Sequence, residues 1–307
     1  MSTTVQVSRA SHIGRITVIA RHTFTQLVRM KVFYFLAAFA IILITANFLN
    51  LPQHEGPEAA GTQVLTMIKS TCIGAMRLFS LVLSIVATAL LLPKDVEDRT
   101  LYTILAKPVP RLDYLIGKLI GVLLLVFVSL AVMDLFMTAA LHIRTSVLWN
   151  EQLKVVTGQG WPADAIESLR RDTFVNGATW SVQGGVLAVF LQASIMASLA
   201  LLISTFSTST LFTTNISFLV FFIGHFQADA RDAFLHSAEG GQGVLARGAS
   251  LLFSLLLPDF QNFNLIDAVI EGQTVPLSVV GQLVLIGGYY AVFYTVASWF
   301  VFSDKEF

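Results

Sequence analysis

Long apolar runs with almost no charged residues divide this chain. Several of them reach about 20 residues, the length of α-helix that crosses the hydrocarbon core of a bilayer. Only 12% of the 307 residues are charged and 55% are hydrophobic, whereas soluble domains carry about 25% charged residues. The sequence therefore predicts an all-α integral membrane protein.

The apolar runs predict six membrane-spanning helices, at about residues 32–49, 73–92, 119–141, 182–203, 211–226 and 276–302. Residues 1–31 precede this six-span domain of residues 32–307. They carry basic but no acidic residues, and their apolar positions recur at helical spacing, which predicts an amphipathic helix in the membrane interface.

Two long polar segments, residues 143–181 and 227–275, are predicted as loops between spans. The first contains the signals of a short helix, with acidic residues early and basic residues late. The second includes an apolar run at 244–257, which is too short to cross and predicts a re-entrant or interfacial helix.

The basic residues predict the orientation. Six spans place both termini on one side, and that side carries 11 of the 19 Lys and Arg residues. Because basic residues concentrate on the cytoplasmic side, we expect both termini in the cytoplasm and both long loops outside.

Charge and motifs exclude several function classes. The net charge is zero, so no basic field predicts nucleic-acid binding. The sequence has one cysteine and scattered histidines, and it contains no Walker A, GxGxxG, GxSxG or HExxH pattern. We therefore expect no metal site, no catalytic site and no nucleotide site in this chain.

Residues 94–118, KDVEDRTLYTILAKPVPRLDYLIGK, form a charged island between two apolar runs. Its charges exclude it from hydrocarbon. Acidic residues precede a short apolar edge, Lys107 follows it, and Pro108 and Pro110 end it, which predicts a capped helix at about 97–106. Such a helix is either part of a solvated loop or a docking element for a soluble partner.

The charged island resembles the cytoplasmic segment of type-two ABC transporter permeases. The matching stretches are EDRTL at 97–101, LAKPVPR at 105–111 and YLIGK at 114–118. Residues 20–34 are similar to the elbow helix of that family, and residues 257–263 to the entry of its last span. The loop at 143–181 is longer than the family pattern.

The resemblance implies a permease subunit, with transport by export across the bacterial inner (cytoplasmic) membrane. Two permease chains, identical or sister chains, would each receive a cytoplasmic ATPase, which would hold ATP and magnesium, and the 97–106 helix would couple to it. The outer loops leave room for an accessory subunit, and membrane lipid surrounds the spans. The implied ATPase interface consists of Glu97, Asp98, Arg99, Leu101, Ile104, Leu105 and Lys107.

Polar residues within the spans are the remaining candidates. Arg77 and Asp134 are expected to form an intramembrane charge pair, because charges in a membrane pair by default; we favour a structural pair over substrate contact. Either a transport pathway or hydrogen bonds between helices would explain four further residues, Gln192, Ser194, Ser198 and Asn215.

Two other function classes compete with the permease. An ATPase-independent secondary transporter or channel would use Asp134, although that class tends to have broken helices and mid-membrane charges. A membrane enzyme would need a cluster of His, Asp or Glu at the end of a span, and the sequence shows none.

Overall fold

The computed structural model describes residues 11–31, 60–97, 109–207, 209–227 and 256–304, with isolated positions between 33 and 45 and at 229. All regular structure in these ranges is helical. The helices are α1 (His12–Val28), α2 (Ala60–Glu97), α3 (Arg111–Gly158), α4 (Ala163–Val175), α5 (Trp180–Phe206), α6 (Thr210–His225), a 3₁₀ turn (Gln261–Phe263), α7 (Ile266–Ile270) and α8 (Leu277–Ser303).

Four stretches are long and apolar enough to cross a membrane: Gln63–Pro93, Arg111–Gly158, Ala163–Phe206 and Leu277–Ser303. The all-helical membrane class predicted from the sequence is therefore confirmed. The predicted first span, 32–49, lies largely outside the described residues. The predicted fifth span corresponds to α6, which is apolar but has only 16 residues. Six spans stay a prediction.

Helices α2 and α3 are longer than the predicted spans. Helix α2 begins at Ala60, and α3 continues to Gly158, so part of the predicted 143–181 loop is helical. The extension of α3 packs on α4, the predicted short helix. Thr173 donates a hydrogen bond to the Gln152 side chain at 3.0 Å, and the Trp149 ring packs edge-on against Phe174.

A Gly-dependent turn ends α3 and reverses the chain into α4. Gly160 has φ +70°, a conformation that costs glycine little. The Trp161 N–H donates to the carbonyl of Val156, and the Gly160 N–H donates to that of Thr157, the paired bonds of a Schellman motif. The turn lets α4 fold back on α3.

Helix α5 lies at the centre of the bundle and packs against α2, α3, α6 and α8. The most apolar part of the sequence that contains α5 is 72% buried inside the protein, whereas the most apolar part of α8 is only 28% buried. Helix α8 therefore lies at the periphery of the bundle. Small side chains such as Ala193, Ala197 and Ala200 are buried along α5, which lets neighbouring helices approach closely.

Helix α1 lies within the predicted 1–31 segment and packs against the start of α3. Its buried positions are Ala20, Thr23 and Leu27, and two glycines of α3 receive it. A Cβ on Gly117 would lie 2.8 Å from the Ile19 Cβ, and one on Gly121 would lie 2.6 Å from the Thr23 Cβ. The position of α1 relative to a membrane stays a prediction.

We expect Gly121→Ala to destabilise the protein by about 1–3 kcal/mol, because the added methyl group overpacks the contact with α1. Thermal unfolding in detergent measures the change. The matched control is Gly281→Ala in α8, where a Cβ meets nothing within 4 Å and alanine gains up to about 1 kcal/mol of helix propensity. Equal melting temperatures for the two variants would contradict the close packing.

The predicted helix at 244–257 lies almost entirely outside the described residues. The chain from Leu256 onward is described, and this part packs on α6 and α8. Tyr290 and Tyr294 of α8 donate hydrogen bonds to the carbonyls of Leu257 and Leu256, at 3.2 and 2.6 Å. These contacts hold the segment from Leu256 onward, here called the outer segment (residues 256–275), against the bundle.

Candidate functional site

A buried ion pair closes the base of the charged island. The Lys118 Nζ lies 2.7 Å from the Asp95 Oδ2, and both side chains are almost fully buried. The Tyr114 hydroxyl donates a short hydrogen bond to the same carboxylate. Asp95 is in the last turn of α2, and Lys118 and Tyr114 are in the first turns of α3. The two ends of the island are thus joined through side chains.

The same end of α3 is tied to the end of α8. The Arg111 Nη1 donates to the carbonyls of Phe302 and Ser303, at 2.6 and 2.8 Å, where a helix C-terminus favours a cation. The Tyr114 ring stacks on Phe302 with a centroid distance of 6.0 Å. These contacts join the start of α3 to the end of α8.

A third contact joins α1 to the same place. Asp113, buried in the first turn of α3, lies 3.0 Å from the His12 Nδ1 and 3.9 Å from the Arg15 Nε. The N-terminus of α3 favours this carboxylate. We call Asp95, Arg111, Asp113, Tyr114 and Lys118 the base cluster; it joins α1, α2, α3 and α8.

The predicted docking helix itself falls on residues that the structure does not describe. Glu97 is the last residue of α2, whereas Asp98, Arg99, Leu101, Ile104, Leu105 and Lys107 lie outside the described residues. The base cluster was not predicted. The feature of the sequence that could have indicated the base cluster is the position of Asp95 and Lys118. They carry opposite charges, and each lies where an apolar run meets the charged island.

The predicted pair of Arg77 and Asp134 is not formed. The Arg77 Nε donates to the Gln192 Oε1 at 3.1 Å, and its Nη2 lies 2.6 Å from the His225 Nε2. Asp134 instead accepts from the Gln183 Nε2 at 3.1 Å and from the Thr138 hydroxyl at 3.4 Å. Gln183 and Gln192 are nine residues apart on α5, about 13.5 Å along its axis, so the two charges meet α5 at different depths.

The four candidate pathway residues are dispersed. Gln192 is buried and contacts Arg77. Ser194 and Ser198 donate to carbonyls of their own helix, those of Phe190 and Ile195, at 2.8 Å each. Asn215 is exposed on α6. A shared pathway through these residues stays a prediction.

Comparisons with known proteins give no independent identification. No family model matches the chain, and no curated protein matches it. In the described part of the chain no three His, Cys, Asp or Glu residues come together as ligands for a metal ion.

Proposed function

We propose that this chain is the membrane-spanning permease subunit of a type-two ABC transporter. It would act in export, pair with a second permease chain and bind cytoplasmic ATPases through the helix at 97–106. The match of the charged island to this family's cytoplasmic segment supports the proposal, together with the absence of any nucleotide-binding motif in the sequence. Four apolar helices long enough to cross a membrane are consistent with it.

The base cluster is the observation that carries the proposal. An element that transmits force must be anchored to the helices that move. The buried pair of Lys118 and Asp95 links the two ends of the island, and Arg111 links them to α8. Since these contacts exclude water, a push on residues 98–108 would move four helices together instead of bending a loop.

The proposed setting is the bacterial cytoplasmic membrane, with both termini and the charged island in the cytoplasm. The distribution of basic residues supports this orientation. The base cluster then lies at the cytoplasmic ends of its helices. Helix α4 and the outer segment would lie outside, where an accessory subunit could bind.

The test is copurification of an ATPase with the tagged, detergent-solubilised chain, followed by native mass measurement. The double variant Leu101→Asp with Leu105→Asp is expected to lose the ATPase, because these leucines are the apolar anchor of the docking helix and a buried charge there is costly. Val147→Asp with Val155→Asp, at exposed positions of α3 beyond its predicted span, is the matched control and should retain it.

Two outcomes would contradict the proposal. If no ATPase copurifies with the wild-type chain expressed with its neighbouring genes, an ATPase-independent transporter or channel that uses Asp134 becomes the better hypothesis. If the ATPase binds the Leu101 and Leu105 double variant as well as it binds the control, the chain couples elsewhere than at the island.

A further inference from the structure

We propose that Arg77 and Gln192 form a binding site for an oxyanion, a phosphate or carboxylate group, carried by a molecule with an apolar tail, and that His225 positions the guanidinium. The site lies between α2, α5 and the end of α6, about 27 Å along α2 from Asp95. This inference goes beyond the proposed function and does not depend on it, since no ATPase enters its test.

The positive charge of Arg77 is not balanced by a carboxylate among the described residues. A guanidinium stays protonated in proteins, and a charge within a membrane span normally pairs with an opposite charge. Both hydrogen-bond partners of Arg77 are instead neutral groups, the amide oxygen of Gln192 and the ring of His225. Among the described residues no carboxylate lies within ion-pair distance of Arg77.

The hydrogen bonds of His225 define its tautomer. The His225 Nδ1 lies 3.0 Å from the Phe221 carbonyl, and because a carbonyl only accepts, Nδ1 carries the proton. The Nε2 atom then accepts from the Arg77 Nη2 at 2.6 Å. The imidazole is therefore neutral in this arrangement, and the positive charge stays on the guanidinium.

Several hydrogen-bond donors at the site have no acceptor in the part of the chain that the structure describes. Arg77 has five N–H groups, and two of its nitrogens, Nε and Nη2, make the hydrogen bonds described above. The outer edge of the guanidinium, formed by Nη1 and Nη2, is the edge that binds carboxylate or phosphate in a bidentate way. Beside it, Gln192 is 4% exposed, and its Nε2 is buried without an acceptor among the described residues.

A second buried cation lies on the same helix. Lys69 is fully buried two turns from Arg77, and among the described residues its Nζ donates only to the carbonyl of Val269, at 3.3 Å. The spacing of eight residues corresponds to about 12 Å. Asp267 is exposed and accepts from the Asn264 Nδ2 at 3.1 Å, and it forms no ion pair with Arg77. Among the described residues the buried charge around the site is thus positive.

Exposed residues next to Arg77 and His225 leave access to the site. Gly74 lies one turn before Arg77 on α2, is exposed, and would meet nothing within 4 Å if it carried a Cβ. Leu78 follows Arg77 on α2, Phe222 and Phe226 lie on either side of His225 in the chain, and the three side chains are 50%, 61% and 65% exposed. An oxyanion can therefore approach from the side of α2, and these apolar side chains suit a hydrocarbon tail attached to it.

The experiment compares Arg77→Gln with the control Arg170→Gln, which removes a surface arginine of α4. Both chains are delipidated in a nonionic detergent and titrated with dioleoylphosphatidylglycerol, oleate or inorganic phosphate. Native mass spectrometry counts bound molecules and gives affinities. Lipids that bind elsewhere on the surface bind both variants equally, so the difference reports this site alone.

We expect the Arg170→Gln protein to bind one more anionic amphiphile than Arg77→Gln does, with an affinity at least about tenfold higher. Binding of inorganic phosphate as well would identify the oxyanion as sufficient, and binding of only the two amphiphiles would show that the tail is required.

Equal binding by Arg77→Gln and Arg170→Gln, or the absence of binding by the wild type with every probe, would overturn the proposal. If Arg77→Gln does not fold, Gln192→Leu provides the test because it retains the guanidinium. It removes the unpaired amide and is expected to weaken binding by about threefold to tenfold. Unchanged affinity in that variant would equally overturn the proposal.

Discussion

Replacing Lys118 with methionine is expected to destabilise the protein by about 3–5 kcal/mol, because the change removes the buried ammonium group that is paired with the Asp95 carboxylate. Lys118 and Asp95 are 2.7 Å apart and nearly inaccessible, so solvent cannot replace the lost ammonium group. Methionine keeps most of the side-chain volume, so the expected loss reflects charge and not packing. Thermal unfolding in detergent measures it.

The matched control for this prediction is Lys154→Met. Lys154 is on the same helix but exposed, and surface substitutions usually change stability by less than about 0.5 kcal/mol. A loss in Lys118→Met no larger than that of the control would show that the buried pair adds no stability.

A double-mutant cycle separates the ion pair from its surroundings. Asp95→Asn keeps an acceptor for the Tyr114 hydroxyl but removes the charge. Combined with Lys118→Met, it leaves no uncompensated charge, so the double variant should lose less than the sum of the single losses. Strict additivity would mean that Asp95 and Lys118 act independently, which their geometry contradicts.

The same variants also address coupling in the proposed transporter. If residues 98–108 bind an ATPase, the Asp95→Asn and Lys118→Met double variant should still capture it, because the docking residues are unchanged. Its ATP hydrolysis should respond less to changes in the membrane domain, since the rigid link between α2 and α3 is weakened. Capture by the double variant and loss of capture by the Leu101 and Leu105 variant would separate docking from transmission.

The membrane class and most helices could be predicted from the sequence because they depend on local hydrophobic runs. The limits of α3 could not, because its extension beyond 141 is held by contacts with α4. Gln152 accepts from Thr173, which is 21 residues away. Such a position looks polar in the sequence and is buried only when the second helix folds back.

The two intramembrane charges show a different limit. The sequence indicates that Arg77 and Asp134 need polar partners, and the structure supplies partners for both. It does not supply the predicted pairing, because the partner depends on the depth and face at which each helix meets α5. The neutral amide of Gln192 bonds to Arg77, and that of Gln183 bonds to Asp134, where the sequence predicts an opposite charge. Hydrophobic periodicity carries no information about that choice.

Removing the ring of Phe260 is expected to cause the second large loss. Phe260 is fully buried in the outer segment and packs on the rings of Phe221 and His225, with centroid distances of 5.4 and 5.6 Å. Gly224 receives it so closely that a Cβ there would lie 2.6 Å from the Phe260 Cδ2. Phe260→Ala should therefore cost about 3–5 kcal/mol, as expected for a cavity at a well-packed aromatic site.

The control for Phe260→Ala is Phe300→Ala, which removes a ring that is 62% exposed on α8 and leaves no enclosed cavity. Thermal unfolding compares the two variants, and amide hydrogen exchange shows where the loss acts. Exchange should increase most across residues 256–270, because the Phe260 N–H donates to the Gly224 carbonyl at 3.1 Å and the ring holds that bond in place. Equal melting temperatures would show that the ring does not anchor the outer segment.

The Phe260 prediction also bears on the oxyanion site. The ring covers His225, which in turn holds the Arg77 guanidinium through its Nε2. Below its melting temperature, Phe260→Ala should therefore bind an anionic amphiphile more weakly than Phe300→Ala, although every group that would contact the oxyanion is still present. Unchanged affinity with increased exchange would mean that the outer segment and the Arg77 site are independent.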